Sequence, residues 1–309
     1  MERIINYPFN LASQLIKDRY NERVQKVSID FANKCPNRDG TLSNEGCYYC
    51  STESYLPYYV RNNQDYINQL NEGISYYKKR YKCNRFFAFL QASSNTYMSA
   101  KKLETIINKL LEHTCIEGIV IATRPDCLEK DKLQLLQKIA KQTYIRLEIG
   151  IESFCDEALS FANRCHDSQT GKNALIKAAE HGIETCAHLI LGLPPESIES
   201  QLKTAFILNE CNIKFLKLHH LQIVKNSKFE QIYKNSPEKF NLYSKEQYLD
   251  IVAQFLTHLS KEIYIDRFIN KVPLNQLIAP LWNNVSEQSF QSDLAQYMQT
   301  KNLTQSCGL

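Results

Sequence analysis

The alternation of short strand-type segments with longer amphipathic segments constrains the fold of this chain more than any other sequence feature. Six segments rich in apolar, β-branched and aromatic residues have the length and composition of buried strands. They are Val24–Phe31, Arg85–Gln91, Gly118–Arg124, Tyr144–Ser153, Thr185–Leu193 and Phe215–Val224. Helical patterns follow them at residues 62–82, 99–113, 130–142, 169–181, 197–211 and 244–260.

This serial order of strands and helices predicts a parallel sheet with right-handed crossovers. Six βα units are too few for a closed eight-stranded barrel, so we expect an α/β fold with a partial (β/α)6 barrel of the TIM type. The rhythm stops near residue 260, which predicts a core over residues 1–260, with an N-terminal segment, and a C-terminal extension over 261–309. A functional site would lie at the carboxyl ends of the strands.

Composition narrows the class of protein. The 309 residues have a net charge of +4, which permits an anionic partner without requiring one. No apolar run is long enough to cross a membrane and the N-terminal sequence has no secretion signal, so we expect a cytoplasmic protein. Eleven cysteines in a reducing compartment argue against a disulfide framework.

Three of these cysteines share one loop. Cys35, Cys47 and Cys50 follow the first strand with the spacing C-x11-C-x2-C, among turn-forming Pro, Asn, Asp and Gly residues. Three thiolates can hold three irons of a [4Fe–4S] cluster and leave the fourth iron open to another ligand. A structural zinc site would need a fourth Cys or His, which short spacing does not supply. We favour the cluster and keep zinc, or no metal, as alternatives.

The loop and six later segments resemble one known family. The loop contains CPNRDGT and GCYYC, and the later segments, in order, are QASSNTYM (91–98), TRPDCL (123–128), LEIGIES (147–153), NRCH (163–166), HLILGLPPE (188–196) and LKLHHLQIV (216–224). This ordered set resembles the YhcC-type radical S-adenosylmethionine (SAM) proteins, which are similar to the radical SAM domain of the elongator catalytic subunit. The resemblance extends to about residue 282 and implies the partial barrel of radical SAM enzymes, with a [4Fe–4S] cluster and SAM as cofactors.

The resemblance also implies roles at matching positions. Cys35, Cys47 and Cys50 are the implied cluster ligands. The implied SAM contacts are Tyr49, Gln91, Asn95, Glu148, Glu152, Arg164 and His188. A carboxylate at a strand end, such as Glu152, can accept both ribose hydroxyls, and a guanidinium, such as Arg164, can pair with the methionine carboxylate. Ordinary packing or an internal ion pair is the alternative for these residues.

Several positions near these motifs need their own interpretation. Glu148 shares a face with Glu152 if the strand is regular, because positions four apart lie on the same side. Cys165 stands where relatives of the elongator type often have glycine, which we interpret as a tolerated local change. His219 and His220 are adjacent on the sixth strand, so at most one should point inward.

Similarity to the elongator subunit implies cleavage of SAM to a 5′-deoxyadenosyl radical and modification of a tRNA nucleoside such as a wobble uridine. The partners would be tRNA and an electron donor such as flavodoxin or ferredoxin. The basic segment Lys78–Arg85 and the tyrosines around it could contact RNA, although a solvated helix face is the simpler interpretation. Two other hypotheses are a radical SAM enzyme that acts on a small metabolite or porphyrin-like acid, and a non-catalytic, zinc-stabilised nucleic-acid-binding protein.

Overall fold

The computed structural model describes residues 7–31, 34–51, 56–282 and 285–309. The first six residues of the predicted N-terminal segment lie outside the described residues, and so do residues 32 and 33 at the start of the cysteine loop. Residues 52–55 and 283–284 lie outside them as well.

In the described part of the chain, seven parallel strands form one curled sheet. In the order of the sheet they are β1 (Val24–Ile29), β2 (Arg85–Leu90), β3 (Ile116–Thr123), β4 (Tyr144–Glu152), β5 (Glu184–Leu191), β6 (Phe215–His220) and β8 (Tyr264–Arg267). The short strands β7 (Ile223–Val224) and β9 (Leu277–Ala279) form a separate antiparallel pair.

Helices cover the outside of this sheet. They are α1 (Ala12–Tyr20), α2 (Tyr58–Arg61), α3 (Tyr66–Tyr81), α4 (Ala100–Leu111), α5 (Lys130–Ala140), α6 (Asp156–Phe161), α7 (Ser168–Glu180), α8 (Ile198–Glu210), α9 (Lys228–Asn235), α10 (Lys245–Thr257) and α11 (Glu287–Thr300). The buried residues of α4 recur at helical spacing and form one apolar face: Leu103, Ile106, Ile107 and Leu110. None of the described helices is both long enough and apolar enough to span a membrane.

The predicted fold class is confirmed, because the protein is an α/β partial barrel with the six predicted strands and one more. The additional strand β8 pairs with β6 and lies beyond residue 260, where we placed the start of the C-terminal extension. The sheet therefore includes the first part of that extension, and the division into two domains stays a prediction. The predicted strand Phe215–Val224 divides into β6 and β7, and the predicted helix over 62–82 begins at Tyr66, after the short α2.

The barrel keeps a lateral opening between its two edge strands. β1 and β8 lie at opposite ends of the strand order, and no ladder of hydrogen bonds joins them in the described residues. Helix α1 contacts both edges, and Ile265 of β8 donates its N–H to the Asn10 carbonyl at 2.8 Å. The chain before α1 is therefore attached to β8, and α1 borders the opening.

Candidate active site

The carboxyl ends of the strands border a cavity of about 270 Å³ that brings together most of the predicted site residues. Those that line it are Cys35, Cys47, Tyr49, Cys50, Gln91, Glu148, Glu152, Arg164 and His188. Asn95 does not line it. The fully buried Asn95 amide donates to the carbonyls of Leu90 and Ala122, at 2.8 and 2.9 Å, and so joins two strand ends.

The cysteine loop is attached to the loop that contains Arg164. The side-chain amide of Asn163 donates to the Gly46 carbonyl at 2.8 Å, and that of Asn37 donates to the Asn163 carbonyl at 2.6 Å. These hydrogen bonds hold Cys47 next to Arg164, although 117 positions separate the two residues in the sequence.

Two guanidinium groups lie beside the buried thiol of Cys47. Arg164 Nη1 is 3.3 Å from the sulfur, Arg124 Nη1 is 4.0 Å away, and Asn37 Nδ2 donates to the same atom at 3.4 Å. Burial alone would raise the pKa of Cys47, but the two positive charges and the hydrogen bonds bring that pKa below its usual value. Positive neighbours of this kind favour the thiolate, which is the form that binds metal.

At the other two thiols of the loop, burial raises the pKa by more than the neighbouring arginines lower it. Burial raises the pKa of Cys35, and it raises the pKa of Cys50 to about 11. Metal binding deprotonates thiol ligands, and three thiols on one cavity form the donor set of a cluster with one open iron. Among the described residues, no three Cys, His, Asp or Glu side chains are arranged to hold a single metal ion.

Backbone contacts hold Arg164 in place. Its Nη2 donates to the Gly150 carbonyl at 2.5 Å, and its own carbonyl accepts a hydrogen bond from Arg124 at 2.8 Å. The flanking residues Asn163 and Cys165 both have left-handed backbones, with φ of 50° and 57°. A Cβ on Gly150 would lie 2.8 Å from Arg164 Nη2, so glycine leaves the space that this guanidinium occupies.

Glu152 ends β4 at an irregular point of the strand. Its φ is 70°, and the pairing of β4 with β5 changes register between Gly150 and Glu152. The condition for Glu148 and Glu152 to share a face, a regular strand, is therefore not met, although both line the cavity. Burial raises the pKa of Glu152, while Arg164 at 3.5 Å and a hydrogen bond from Tyr49 partly oppose this effect.

Tyr49 and Gln91 are the remaining predicted SAM contacts on the cavity. Tyr49 is half-buried, with its ring centre 6.4 Å from that of Phe229, and burial raises its pKa well above the usual value. Gln91 Oε1 accepts a hydrogen bond from the Ser28 hydroxyl at 2.5 Å, which orients the amide just after β2.

Glu148 is fully buried and surrounded by cationic and imidazole groups. Its Oε1 lies 2.8 Å from Lys26 Nζ, while its Oε2 accepts from Lys217 and lies 3.0 Å from His188 Nε2. Burial alone would raise the pKa of Glu148, but the charges of Lys217 and Lys26 hold that pKa well below its usual value. The structure therefore places Glu148 in an internal ion-pair network, which was the alternative interpretation.

Sequence reasoning missed Lys217 and Asp266, which complete this network. Asp266 lies 2.9 Å from Lys26 and 3.0 Å from Arg146. Lys217 interrupts an apolar strand, and that was an available signal, because a buried cation needs a partner. Asp266 gave no comparable signal, since its strand β8 was not recognised in the sequence.

The adjacent histidines of β6 both line the cavity, while His220 also packs against Tyr248 of α10, so the prediction that at most one would point inward stays a prediction. They lie at the end of β6, where His220 stacks on Trp282 with ring centres 3.9 Å apart. Burial lowers the pKa of His219 well below its usual value, that of His220 to about 3 and that of His188 to about 4. All three imidazoles are therefore neutral near pH 7.

Comparisons with known proteins agree with this geometry. The family model of the radical SAM superfamily matches residues 31–206, and that of the radical SAM C-terminal domain matches residues 213–296. An uncharacterised protein of Methanocaldococcus jannaschii is 32% identical over 272 residues, which are 86% of this chain and 82% of that protein. YhcC of Escherichia coli is 29% identical over 265 residues, or 85% of this chain and 84% of YhcC.

A more distant relative in sequence is the tRNA uridine(34) acetyltransferase of Methanocaldococcus infernus. It is 23% identical over 205 residues, which are 65% of this chain but only 36% of that protein. In structure, the chain resembles elongator protein 3 of the same organism, with a TM-score of 0.69 and 16% identity over 91% of this chain and 64% of that one. At that identity the likeness shows the fold alone.

These matches confirm the resemblance to the YhcC-type proteins and favour an enzyme over a non-catalytic zinc protein. The superfamily model covers more than half of the chain. The chain therefore belongs to the radical SAM superfamily, whose cofactors are the predicted [4Fe–4S] cluster and SAM.

Proposed function

We propose that this protein holds a [4Fe–4S] cluster on Cys35, Cys47 and Cys50, binds SAM beside it, and modifies a nucleoside of tRNA. The observation that carries the proposal is that all three thiols face one cavity, whose wall contains Arg164 and Glu152. When bound, the cluster supplies the electron that cleaves SAM and so starts hydrogen abstraction from the substrate. A small electron-transfer protein such as flavodoxin or ferredoxin is the expected reductant.

Arg164 and Glu152 are suited to bind the methionine carboxylate and the ribose of SAM. The guanidinium of Arg164 is oriented by the Gly150 carbonyl and can donate parallel hydrogen bonds to the methionine carboxylate. The carboxylate of Glu152 has its cationic partner at 3.5 Å, so its oxygens can still accept hydrogen bonds from both ribose hydroxyls. Tyr49, which hydrogen-bonds to Glu152, would contact the adenosine beside them.

His188 and Gln91 are proposed as additional contacts. Because Glu148 holds one ring nitrogen of the neutral His188, the other nitrogen can contact SAM or substrate. Gln91 is oriented by Ser28 at the same cavity. Glu148 acts through His188 and Lys217 as a positioning residue, and we give Asn95 no contact with SAM because its amide joins two strand ends.

Sequence similarity supports the tRNA part of the proposal, since the tRNA uridine(34) acetyltransferase matches 65% of this chain. The basic segment Lys78–Arg85 adds little support. The tyrosines in and before it contact one another, with Tyr77 stacked on Tyr81 at 5.8 Å, and Arg80 donates to the Tyr76 hydroxyl at 2.8 Å. We therefore treat this segment as an internally bonded helix face.

SAM cleavage tests the chemistry of the proposal. Anaerobically reconstituted wild-type protein, reduced in the presence of SAM, should release 5′-deoxyadenosine, and the Cys47→Ala variant should release none. Cys307→Ala is the matched control, because Cys307 is exposed and does not line the cavity. Equal release by the wild-type protein and Cys47→Ala would contradict the assignment.

Nucleoside analysis tests the substrate. Mass spectrometry of digested tRNA from a deletion strain should lack one modified nucleoside, or accumulate its precursor. Wild-type protein and Cys307→Ala should restore it, and Cys47→Ala should not. An unchanged nucleoside profile in the deletion strain would refute the tRNA part of the proposal and leave the SAM chemistry standing.

A further inference from the structure

A second groove, of about 750 Å³, runs along the lateral opening of the barrel between β1 and β8. It meets the 270 Å³ cavity of the candidate active site, called here the SAM cavity, inside the barrel. The groove and the SAM cavity share Phe89, Gln91, Lys217 and Arg267. The cluster cysteines and Arg164 border the SAM cavity but not this groove. A ligand group in the groove would therefore reach the shared residues without contact with the cluster cysteines.

The wall of this groove carries a strong excess of positive charge. Its cationic side chains are Lys17, Arg23, Lys26, Arg146, Lys217 and Arg267. Asp266 is the one carboxylate among the residues that line it in the described part of the chain. The groove is therefore complementary to an anion, and this holds even when the nearby Glu148 is counted.

Most of the inner cations already have partners. Lys26 and Arg146 pair with Asp266 at 2.9 and 3.0 Å, and Lys217 pairs with Glu148. Arg267 differs from them, because no hydrogen bond or ion pair engages its guanidinium among residues 7–31, 34–51, 56–282 and 285–309. Glu287 is close enough to interact with the charge of Arg267, but its two oxygens accept hydrogen bonds from the Phe268 and Ile269 N–H groups, so the guanidinium keeps its N–H donors for a ligand.

A neighbouring polar atom also lacks a partner that a bound anion could supply. Nε2 of His219 is buried and has no hydrogen-bond partner within the described part of the chain. His219 and Arg267 line the same cavity, next to Lys217. A neutral imidazole can donate one hydrogen bond to an anion that a guanidinium already binds.

We propose that Arg267, together with Lys217 and His219, binds a carboxylate or phosphate group of the substrate where the groove meets the SAM cavity. This inference rests on the proposed function, because it takes the SAM cavity as the place of reaction. The fork of Arg267 matches the two oxygens of such a group, and Lys217 adds a point charge. The anion fixes one end of the substrate and leaves the rest of it to extend toward the cavity.

Calorimetric titration with two simple probes, inorganic phosphate and succinate, tests this assignment. The reconstituted protein is first saturated with SAM, so that the site for the methionine carboxylate is already filled. We expect one equivalent of probe to bind, and Arg267→Gln to weaken this binding about tenfold or more. Arg267→Lys keeps the charge but not the planar fork, so its affinity for the probe should lie between those of the wild-type protein and Arg267→Gln. Tighter binding of phosphate would identify a phosphorylated substrate group, and tighter binding of succinate a carboxylic acid.

Arg61→Gln is the matched control, because Arg61 is an exposed arginine that lines neither the cavity nor the groove. It should bind the probes like the wild-type protein. Unchanged binding by both Arg267 variants, at wild-type iron content, would overturn the proposal. Binding that disappears when SAM is present would also overturn it, since Arg267 would then serve SAM. Iron content and SAM cleavage are measured separately, so either proposal can fail while the other stands.

Discussion

Glu148 and Glu152 lie four positions apart on β4, and their surroundings are opposite in character. Glu148 is fully buried among Lys26, Lys217 and His188, which hold its pKa well below the usual value. Glu152 has one cation, Arg164, at 3.5 Å, and burial raises its pKa. The first carboxylate has its hydrogen bonds inside the protein, whereas the second keeps acceptor capacity for a ligand.

This difference shows that one strand can provide both a carboxylate that stabilises the barrel and a carboxylate with acceptors for a ligand. Inside the barrel, a carboxylate balances cations that would otherwise be buried without partners. At the carboxyl end of the strand, where the backbone becomes irregular, the chemically identical side chain of Glu152 lines the same cavity with fewer ionic partners.

The largest effect is expected for Glu148→Gln. The amide cannot balance Lys26 and Lys217, so the free energy of unfolding should fall by about 3–5 kcal/mol, as when one partner of a buried ion pair is removed. Urea denaturation of the reconstituted protein measures this loss. If Glu148→Gln lost no more stability than Glu152→Gln, the two carboxylates would contribute alike to the free energy of unfolding, against the contrast drawn here.

Glu152→Gln should affect ligand binding more than stability. We expect the dissociation constant of SAM to rise about tenfold, because a carboxylate that accepts ribose hydroxyls becomes a weaker acceptor. The free energy of unfolding should change by less than about 1 kcal/mol, since the raised pKa shows that burial already outweighs the ion pair. Calorimetric titration with SAM measures the binding term, and wild-type SAM affinity in this variant would exclude Glu152 from the SAM site.

The pH dependence of stability should have opposite signs for the two residues. The lowered pKa of Glu148 contributes stability that is present above its usual pKa of 4.5 and is lost as the pH falls through the folded-state value. The raised pKa of Glu152 has the reverse effect, because stability declines as the pH rises from 4.5 through the folded-state value.

Urea denaturation over a pH series can separate these two contributions. The stability difference between wild type and Glu148→Gln should shrink as the pH falls below 4.5. The difference between wild type and Glu152→Gln should instead move against the wild type as the pH rises above 4.5. If the stability difference from the wild type changed with pH in the same direction for both variants, the contrast between Glu148 and Glu152 would be contradicted.

The smallest change in stability is expected for a substitution in the loop that positions Arg164 beside Glu152. Cys165 has a φ of 57°, a conformation that glycine adopts without strain, so Cys165→Gly should raise the free energy of unfolding by about 0.5–1 kcal/mol. Cys165→Ser, which keeps the Cβ, is the control and should give no such gain. Destabilisation by glycine would show that the thiol has a specific role.

The sequence predicted the barrel correctly and indicated the cysteine loop, because both depend on local patterns, and the assignment of the three cysteines as cluster ligands stays a prediction. Apolar strands alternate with amphipathic helices, and three cysteines lie among turn-forming residues. Strand β8 was missed because it has four residues and no helix follows it at the usual spacing. Its position next to β6 depends on contacts between distant parts of the chain, which local patterns do not contain.

Most of the residues predicted to contact SAM line one cavity, but the sequence did not predict their individual states. Sequence could not show that Asn95 joins two strand ends, or that Glu148 meets Lys26 and Asp266 meets Arg146 across the barrel. Ion pairs of this kind connect strands that are far apart in sequence. The left-handed backbone at Glu152 also has no residue signature, since it is glycine that usually occupies such conformations.

Iron analysis of single cysteine variants tests the central claim most directly. The wild-type protein and the Cys307→Ala control should bind about four iron atoms per chain after anaerobic reconstitution. Cys35→Ala, Cys47→Ala and Cys50→Ala should each lose most of that iron, together with the brown colour. Full iron content in any one of these three variants would contradict its assignment as a cluster ligand.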